Sequence, residues 1–367
     1  MAEQIEFPMR AATRFGLSAP RDVMRQLCDH FVEHCDVIVD GDKARLVAEF
    51  GTAILECDDS RMSVQAFGYD ESTLSYVKMM VVEHVLEYAP SDKPDIVWRG
   101  DGVTGGPLPF FREMRVVGAR DVTPNMRRVR LAGEDIARFA SGGLHIRLLF
   151  PASGLAEISW PTLGADGRIV WPTGAAKLTG RIYTIRSIDV AKGEMDVDFV
   201  IHEGDAYPGA GFAVKAKPGD IVGITGPGGG VTPSADWVLL AGDETALPAI
   251  GRMLEELPAS VQAVVRVEIP DAAEEQRLAS AAGLDLAWLH RGEAKAGTTT
   301  LLEDAVRGVA IPDDGRSVFV WAGGEHKTFR SLRKYLRGER GLTRQQHMVA
   351  AFWRRGFDGD SPEAEEA

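Results

Sequence analysis

Arg181-Ile182-Tyr183-Thr184-Ile185-Arg186 is the stretch on which the reading of this chain turns. Ile182 and Ile185 are β-branched, Tyr183 and Thr184 also favour extended backbone, and Gly180 and Asp189 supply turn chemistry on either side, so the run reads as a short strand. Two guanidinium groups, a phenol and a hydroxyl are an unusual load for so apolar a segment. Either they are solvated at a sheet edge, or they face something that accepts hydrogen bonds.

Composition narrows the choices. A chain of 367 residues is long enough for two or three domains, and 45% apolar residues supply ample core. The net charge of -13 argues against nucleic acid and against an anionic membrane surface, both of which need a basic footprint. Any anionic ligand must be met by local arginines and lysines. No apolar run approaches a membrane span, and the first residues lack the basic-then-apolar pattern of a secretory signal, so the expected location is the cytoplasm. Cys28, Cys35 and Cys57 are too few for a four-thiolate iron-sulfur site.

In chain order, residues 1–17 show no clear period and are expected as an extended arm. Ser18 reads as an N-cap with Pro20 just inside, and Val23, Leu27, Phe31 and Val32 follow at helical spacing. A glycine-turned hairpin, two more strands and a long helix capped by Asp70 complete a small α+β domain over residues 18–90. His30 and His34 share a helix face near Cys28 and Cys35. Solvated or capping histidines beside a buried thiol are the better reading than a metal site, and no metal is expected. Residues 91–112, rich in Pro, Gly and Asp, read as a linker or a loosely packed strap.

Closely spaced strands follow, expected at 115–122, 126–131, 145–150, 168–171, 181–188, 195–202 and 221–225, with one brief helix near 134–139. That texture predicts a small closed antiparallel β-barrel over residues 113–232. In the strand 195–202, Val197, Phe199 and Ile201 alternate with Asp196, Asp198, Val200 and His202, so His202 points away from the apolar row. The small residues Gly209, Ala210 and Gly211 open a short helix whose free N–H groups could meet a phosphate. Glycines at 226, 228, 229 and 230 read as a crossing where backbone approaches closely.

From Trp237 strands and helices alternate, with helices expected at 245–257, 272–282, 298–309 and 328–338. This order predicts a parallel sheet with helical crossovers, an α/β domain over residues 233–357, before an acidic tail at 358–367. Ligands of such sheets bind at the carboxyl ends of the strands. The segments there are Gly242-Asp243-Glu244-Thr245, Glu268-Ile269-Pro270, His290-Arg291 and Gly323-Gly324-Glu325. No G-x-G-x-x-G follows a strand.

The run 181–184 resembles the flavin-binding R-x-Y-[ST] motif of the ferredoxin-reductase superfamily, in the form found in siderophore-interacting proteins. Residues 242–249 and the ending Ala351-Phe352-Trp353-Arg354-Arg355-Gly356 are similar to that family as well. The likeness spans residues 113–356, and more weakly 18–90 as a small appended domain. It implies FAD and NAD(P)H as cofactors, a ferric siderophore as substrate, and reduction of Fe(III) to release Fe(II). Arg181 would then meet the FAD pyrophosphate, Tyr183 would lie along the flavin, and Thr184 would stand near its N5, with His202 close by. Gly209, Ala210 and Gly211 would serve by backbone alone, because the family's serine is missing and Phe212 replaces its tryptophan. Asp243, Glu244 and Thr245, with Glu325 and Arg330, would form the nicotinamide side.

Thr184 and Arg186 are the catalytic candidates, Arg186 facing the substrate unless it pairs with Asp189 or Asp198. Trp353 is expected either where the two domains meet or as plain core, and Arg354 or Arg355 near an anionic chelate. Arg330, Arg333 and Lys334 share a helix stripe that is either solvated or turned toward nucleotide phosphate. A flavin reductase serving a protein acceptor, and a non-catalytic flavin or siderophore carrier, stay open as alternatives.

Overall fold

Buried Ala11, Thr13 and Phe15 alternate with exposed neighbours, and this period of two makes Met9–Gly16 a strand, β1. The computed structural model describes residues 7–102, 105–152, 154–155, 157–201 and 208–357, and residues 1–111 with 151–178 cluster as one unit, 112–150 with 179–367 as another. In the first unit β1 is followed by α1 (Pro20–Phe31), β2 (Asp36–Asp40), β3 (Lys43–Ala48), β4 (Gly51–Cys57), β5 (Arg61–Gly68), α2 (Glu71–Tyr88) and β6 (Arg99–Gly100). The sheet order is β2-β3-β4-β5-β1-β6. Leu27 and Phe31 of α1, Leu46, Leu55 and Val64 of the sheet, and Val77, Val81 and Val85 of α2 share its core. Asp70 caps α2, accepting the Thr73 N–H at 2.7 Å while Thr73 accepts the Asp70 N–H at 2.9 Å.

Three expectations for this unit are corrected. Residues 9–16 are not a loose arm, because small residues on the inward face hid a regular alternation. Ser18 is not the helix cap; its N–H and hydroxyl both donate to Asp92, at 2.7 and 3.0 Å. The stretch 91–112 is packed: β6 pairs with β1, and Ile96, Trp98, Leu108 and Phe110 are all buried. The segment 168–171 also leaves the barrel. Among the described residues its Ile169–Val170 (β11) pairs only with Thr162–Leu163 (β10), and the Trp98 indole donates to the Asp166 carbonyl at 2.8 Å.

The second unit holds both remaining layers. β7 (Phe111–Thr123), β8 (Met126–Ala132), β9 (His145–Phe150), β12 (Thr179–Asp189), β13 (Glu194–Val200) and β14 (Ile221–Gly228) close into a six-stranded antiparallel barrel in the order β12-β13-β8-β7-β14-β9. Ile146, Leu148, Ile185, Val197, Phe199 and Ile224 fill it. Asp196 and Asp198, on the opposite face of β13, are buried as well, held by two-pronged bonds from Arg130 and Arg128 of β8. The short helix α3 (Pro208–Lys215) is anchored by Phe212, whose ring lies 5.0 Å from Phe150 and 6.0 Å from Phe199.

The α/β lobe comprises β15 (Trp237–Asp243), α4 (Leu247–Glu256), β16 (Gln262–Ile269), β17 (Gly283–His290), α5 (Leu301–Arg307), β18 (Val318–Glu325), α6 (His326–Lys334) and β19 (His347–Trp353). Its strands are all parallel, ordered β17-β16-β15-β18-β19. The second unit is thus a closed antiparallel barrel followed by a parallel α/β sheet, and the first is a separate α+β unit, as expected. Two helices differ from expectation. Residues 272–282 make only a 3-10 turn at Ala272–Glu274, because Glu274 is drawn inward to bind the barrel, and α5 is shorter than 298–309. β19 was not expected at all.

Candidate functional site

The central strand β12 serves two neighbours. Tyr183 packs with the barrel core, its ring 4.4 Å from Phe199, and its hydroxyl lies against the first turn of α3. A Cβ on Gly209 would fall 1.7 Å from that hydroxyl, so only glycine lets the helix come so near. Burial pushes the Tyr183 phenol up, and the positive charge of Arg181 partly offsets this. Arg181 gives one N–H to the carbonyl of Gly180 at 2.8 Å. A guanidinium, a phenol and the N-terminal turn of a helix therefore converge on one side of β12, and this donor set suits a diphosphate. His202 lies outside the described residues.

Thr184 and Arg186 turn toward the α/β lobe. Thr184 is buried, and its hydroxyl stands 3.1 Å from His145 Nδ1, across the β12–β9 pair where the two residues are register partners. Burial, then the charge of Arg252, pushes His145 down to about 4, so its imidazole is neutral. Gly229 packs against this ring so closely that a Cβ there would lie 2.1 Å from Cδ2. The expectation of a close crossing at these glycines is met. Arg186 pairs with neither Asp189 nor Asp198. It bonds Glu255 of α4 at 3.0 and 2.7 Å, which makes it a tie between lobes and leaves no observation for a substrate role.

Two further ties were not foreseen. Arg252, 7% exposed on α4, holds Glu256 at 2.9 Å and directs its other N–H groups to the carbonyls of Ile185 at 3.3 Å and of Gly143 and Ala140 at 3.5 Å. Glu274 accepts from the Thr123 hydroxyl and, at 2.9 Å, from the Asn125 N–H in the β7–β8 turn. Charged residues in such places read as solvated helix and loop positions, and nothing in their spacing signals a partner on another lobe.

At the carboxyl edge of the parallel sheet, register aligns Asp243 with Glu268, Gly242 with Gly323, and Glu325 with Trp353. Asp243 accepts the Thr245 N–H at 2.9 Å and the Trp353 indole N–H at 2.7 Å. Burial and then the neighbouring Glu244 raise its carboxyl to about 6. Glu244 receives Arg291 in a two-pronged pair, one bond 2.8 Å long, and Glu268 accepts from Thr299 at 2.8 Å. Glu325 caps α6 through Lys327 N–H and takes the Arg355 N–H at 3.2 Å. The residues expected at 243–245 and 325 thus gather on one edge. Arg330 stays exposed on α6. Trp353 is committed to Asp243, and Phe352 meets the barrel instead.

A closed barrel joined to a parallel α/β sheet thus carries these residues. The family model for the siderophore-interacting FAD-binding domain matches residues 115–231, that for siderophore-interacting protein matches 235–356, and one described as an uncharacterized protein conserved in bacteria matches 12–99. The ferric vibriobactin reductase ViuB of Vibrio cholerae is 33% identical over 253 residues, covering 67% of this chain and 90% of that one. The NADPH-dependent ferric-chelate reductase of Escherichia coli is 31% identical over 66% of this chain and 92% of its own. A siderophore utilization protein from T. fusca superposes with a TM-score of 0.60 at 40% identity, over 67% of this chain and 94% of that structure. The chain belongs to the siderophore-interacting protein family. Among the described residues no helix is long and apolar enough to cross a membrane.

Proposed function

We propose that this protein is an FAD-dependent NAD(P)H oxidoreductase that reduces ferric siderophores in the cytoplasm and so frees Fe(II). The observation that carries this reading is the position of Thr184, buried on the face of the flavin strand that meets the α/β lobe and bonded to a neutral histidine. Residues 113–232 are the FAD domain in this reading and residues 233–357 the NAD(P)H domain. Arg181, Tyr183 and the backbone of Gly209, Ala210 and Gly211 would hold the cofactor, and the absence of a Cβ at 209 is what lets the first turn of α3 pack against the Tyr183 hydroxyl beside them. FAD, when bound, supplies the chemistry of taking hydride from nicotinamide and giving up electrons singly to Fe(III).

The protein's own part is orientation. Arg252, Glu274 and the Arg186–Glu255 pair fix the α/β lobe against the barrel, and Asp243, Glu244, Thr245 and Glu325 on its sheet edge would hold a nicotinamide for the flavin strand. Exposed Arg330, Arg354 and Arg355 supply local positive charge in an acidic protein, for nucleotide phosphate or an anionic chelate. Siderophore donors bind Fe(III) far better than Fe(II), so one-electron reduction releases the metal.

The test is anaerobic. NADH or NADPH is mixed with the FAD-loaded chain and a ferric siderophore, and Fe(II) is trapped by a ferrous-specific chelator. Bleaching of the flavin by either nucleotide, followed by stoichiometric trapping, is expected. A flavin that no nicotinamide bleaches contradicts the reading, as does one that reduces only protein acceptors.

A further inference from the structure

We infer that His145 is a positioning residue for the Thr184 hydroxyl, and that the pair sets how tightly the site holds reduced relative to oxidised cofactor. The inference rests on the FAD reading above. Among the described residues, the 3.1 Å contact between Thr184 Oγ1 and His145 Nδ1 is the one hydrogen bond that either side chain makes. Both residues are buried, at 4% and 8% exposure, so neither can turn to bulk water for a substitute. The imidazole is also held in place. Phe352 meets it edge-on with ring centres 5.2 Å apart, and the backbone of Gly229 closes its other side.

A neutral imidazole carries one donor and one acceptor nitrogen. With Nδ1 bare, it accepts the Thr184 hydroxyl proton, and the hydroxyl offers a lone pair outward. With Nδ1 protonated, it donates to the oxygen, and the hydroxyl offers its hydrogen. The bond can therefore run either way with no change in net charge. A flavin N5 held at this hydroxyl, as the motif resemblance implies, would make the matching change, being an acceptor when oxidised and an N–H donor when reduced. A charged histidine or a lysine at 145 could serve only one of these states.

The two states do not depend on His145 equally. When the hydroxyl accepts from a donor outside the pair, its own hydrogen needs a buried acceptor, and His145 is that acceptor. When it donates, losing His145 leaves only a spare lone pair, which is better tolerated than an orphaned buried donor. Removal of the imidazole should thus weaken the reduced state more.

The test is the two-electron midpoint of the FAD-loaded chain in wild type, His145→Phe, Thr184→Val, Thr184→Ser and the His145→Phe/Thr184→Val double variant. His145→Phe is expected to retain FAD but to lose about tenfold in affinity for the reduced relative to the oxidised form, a fall of about 30 mV for a two-electron couple. Thr184→Val should fall alike, Thr184→Ser should stay at the wild-type value, and the double variant should fall no further than either single one. An unchanged midpoint in His145→Phe, or additive falls in the double variant, overturns the inference.

Nitrogen-15 NMR of wild type needs no substitution and decides the matter if a variant fails to fold. An uncharged ring whose Nδ1 is bare in the reduced protein is expected. A charged ring, or a proton on Nδ1 in that state, overturns the inference while leaving FAD binding intact. A wild-type chain that cannot be loaded with FAD removes the cofactor reading first, and this inference with it.

Discussion

The ring of Phe352 stands edge-on to the imidazole of His145, with centres 5.2 Å apart and planes at 87°. Phe352 also reaches Trp321, at 6.0 Å, so it bridges the core of the α/β lobe and the wall of the barrel. Its neighbour Trp353 turns the other way and gives its indole N–H to Asp243. One strand, β19, thus serves the seam with one aromatic residue and the sheet edge with the next.

Phe352→Ala removes the apolar cover of His145. We expect a loss of about 2 kcal/mol, less than for a fully buried ring because Phe352 is only partly buried, measured by urea unfolding. Water reaching the imidazole should raise its pKa from about 4 toward the ordinary histidine value, read by NMR titration. An unmoved titration would show that Phe352 does not shield the ring.

Two buried groups give opposite pH dependences in one window. His145 is depressed to about 4, so between about 4 and 6.5 the unfolded chain binds more protons, and stability from this group is lost as pH falls. Its share is up to about 3 kcal/mol by the size of the shift. Asp243 is raised to about 6, so between about 4 and 6 the folded chain binds more protons and stability falls as pH rises. His145→Phe should remove the first slope, and Asp243→Asn the second. Trp353 fluorescence, taken as the difference from Trp353→Phe, should titrate near pH 6 and lose that step in Asp243→Asn.

The barrel, the parallel sheet and the cofactor strand were legible because each rests on a local pattern. Alternating apolar residues mark β13, continuous apolar runs mark β15 and β16, and the polar load on 181–186 marks a strand with something to hold. What was not legible depends on distance along the chain. Arg252 and Ile185 are 67 residues apart, and Glu274 and Asn125 are 149 apart; neither position carries a sequence cue for its partner. The helix expected at 272–282 failed for the same reason, since the inward pull on Glu274 overrides local propensity. Trp353 was placed at the seam, or in plain core, by the likeness of its segment to the family's ending, whereas strand alternation puts Phe352 at the seam.

Arg252→Ala and Glu274→Ala should loosen the lobes from one another. Each leaves buried partners unsatisfied, the carbonyls of Ile185 and Gly143 in one case and the Thr123 hydroxyl in the other, at about 2 to 3 kcal/mol. Amide hydrogen exchange should quicken in the β7–β8 turn of Glu274→Ala. Exchange unchanged from wild type there would deny the clasp.

Gly209→Ala tests the approach of α3 to Tyr183. The added methyl overlaps the phenol, so Tyr183 must move, and FAD affinity should fall more than about tenfold while unfolding free energy changes by about 1 to 2 kcal/mol. Equal FAD affinity in both proteins would separate Tyr183 from the cofactor.

The most direct measurement is a titration of apoprotein with FAD, wild type against Arg181→Ala, followed by flavin absorbance and fluorescence. Wild type should bind one FAD per chain, and loss of the charge-assisted bonds from the guanidinium should weaken binding about 10- to 100-fold. Wild type that fails to bind FAD, or Arg181→Ala that binds it as tightly as wild type, would contradict the account.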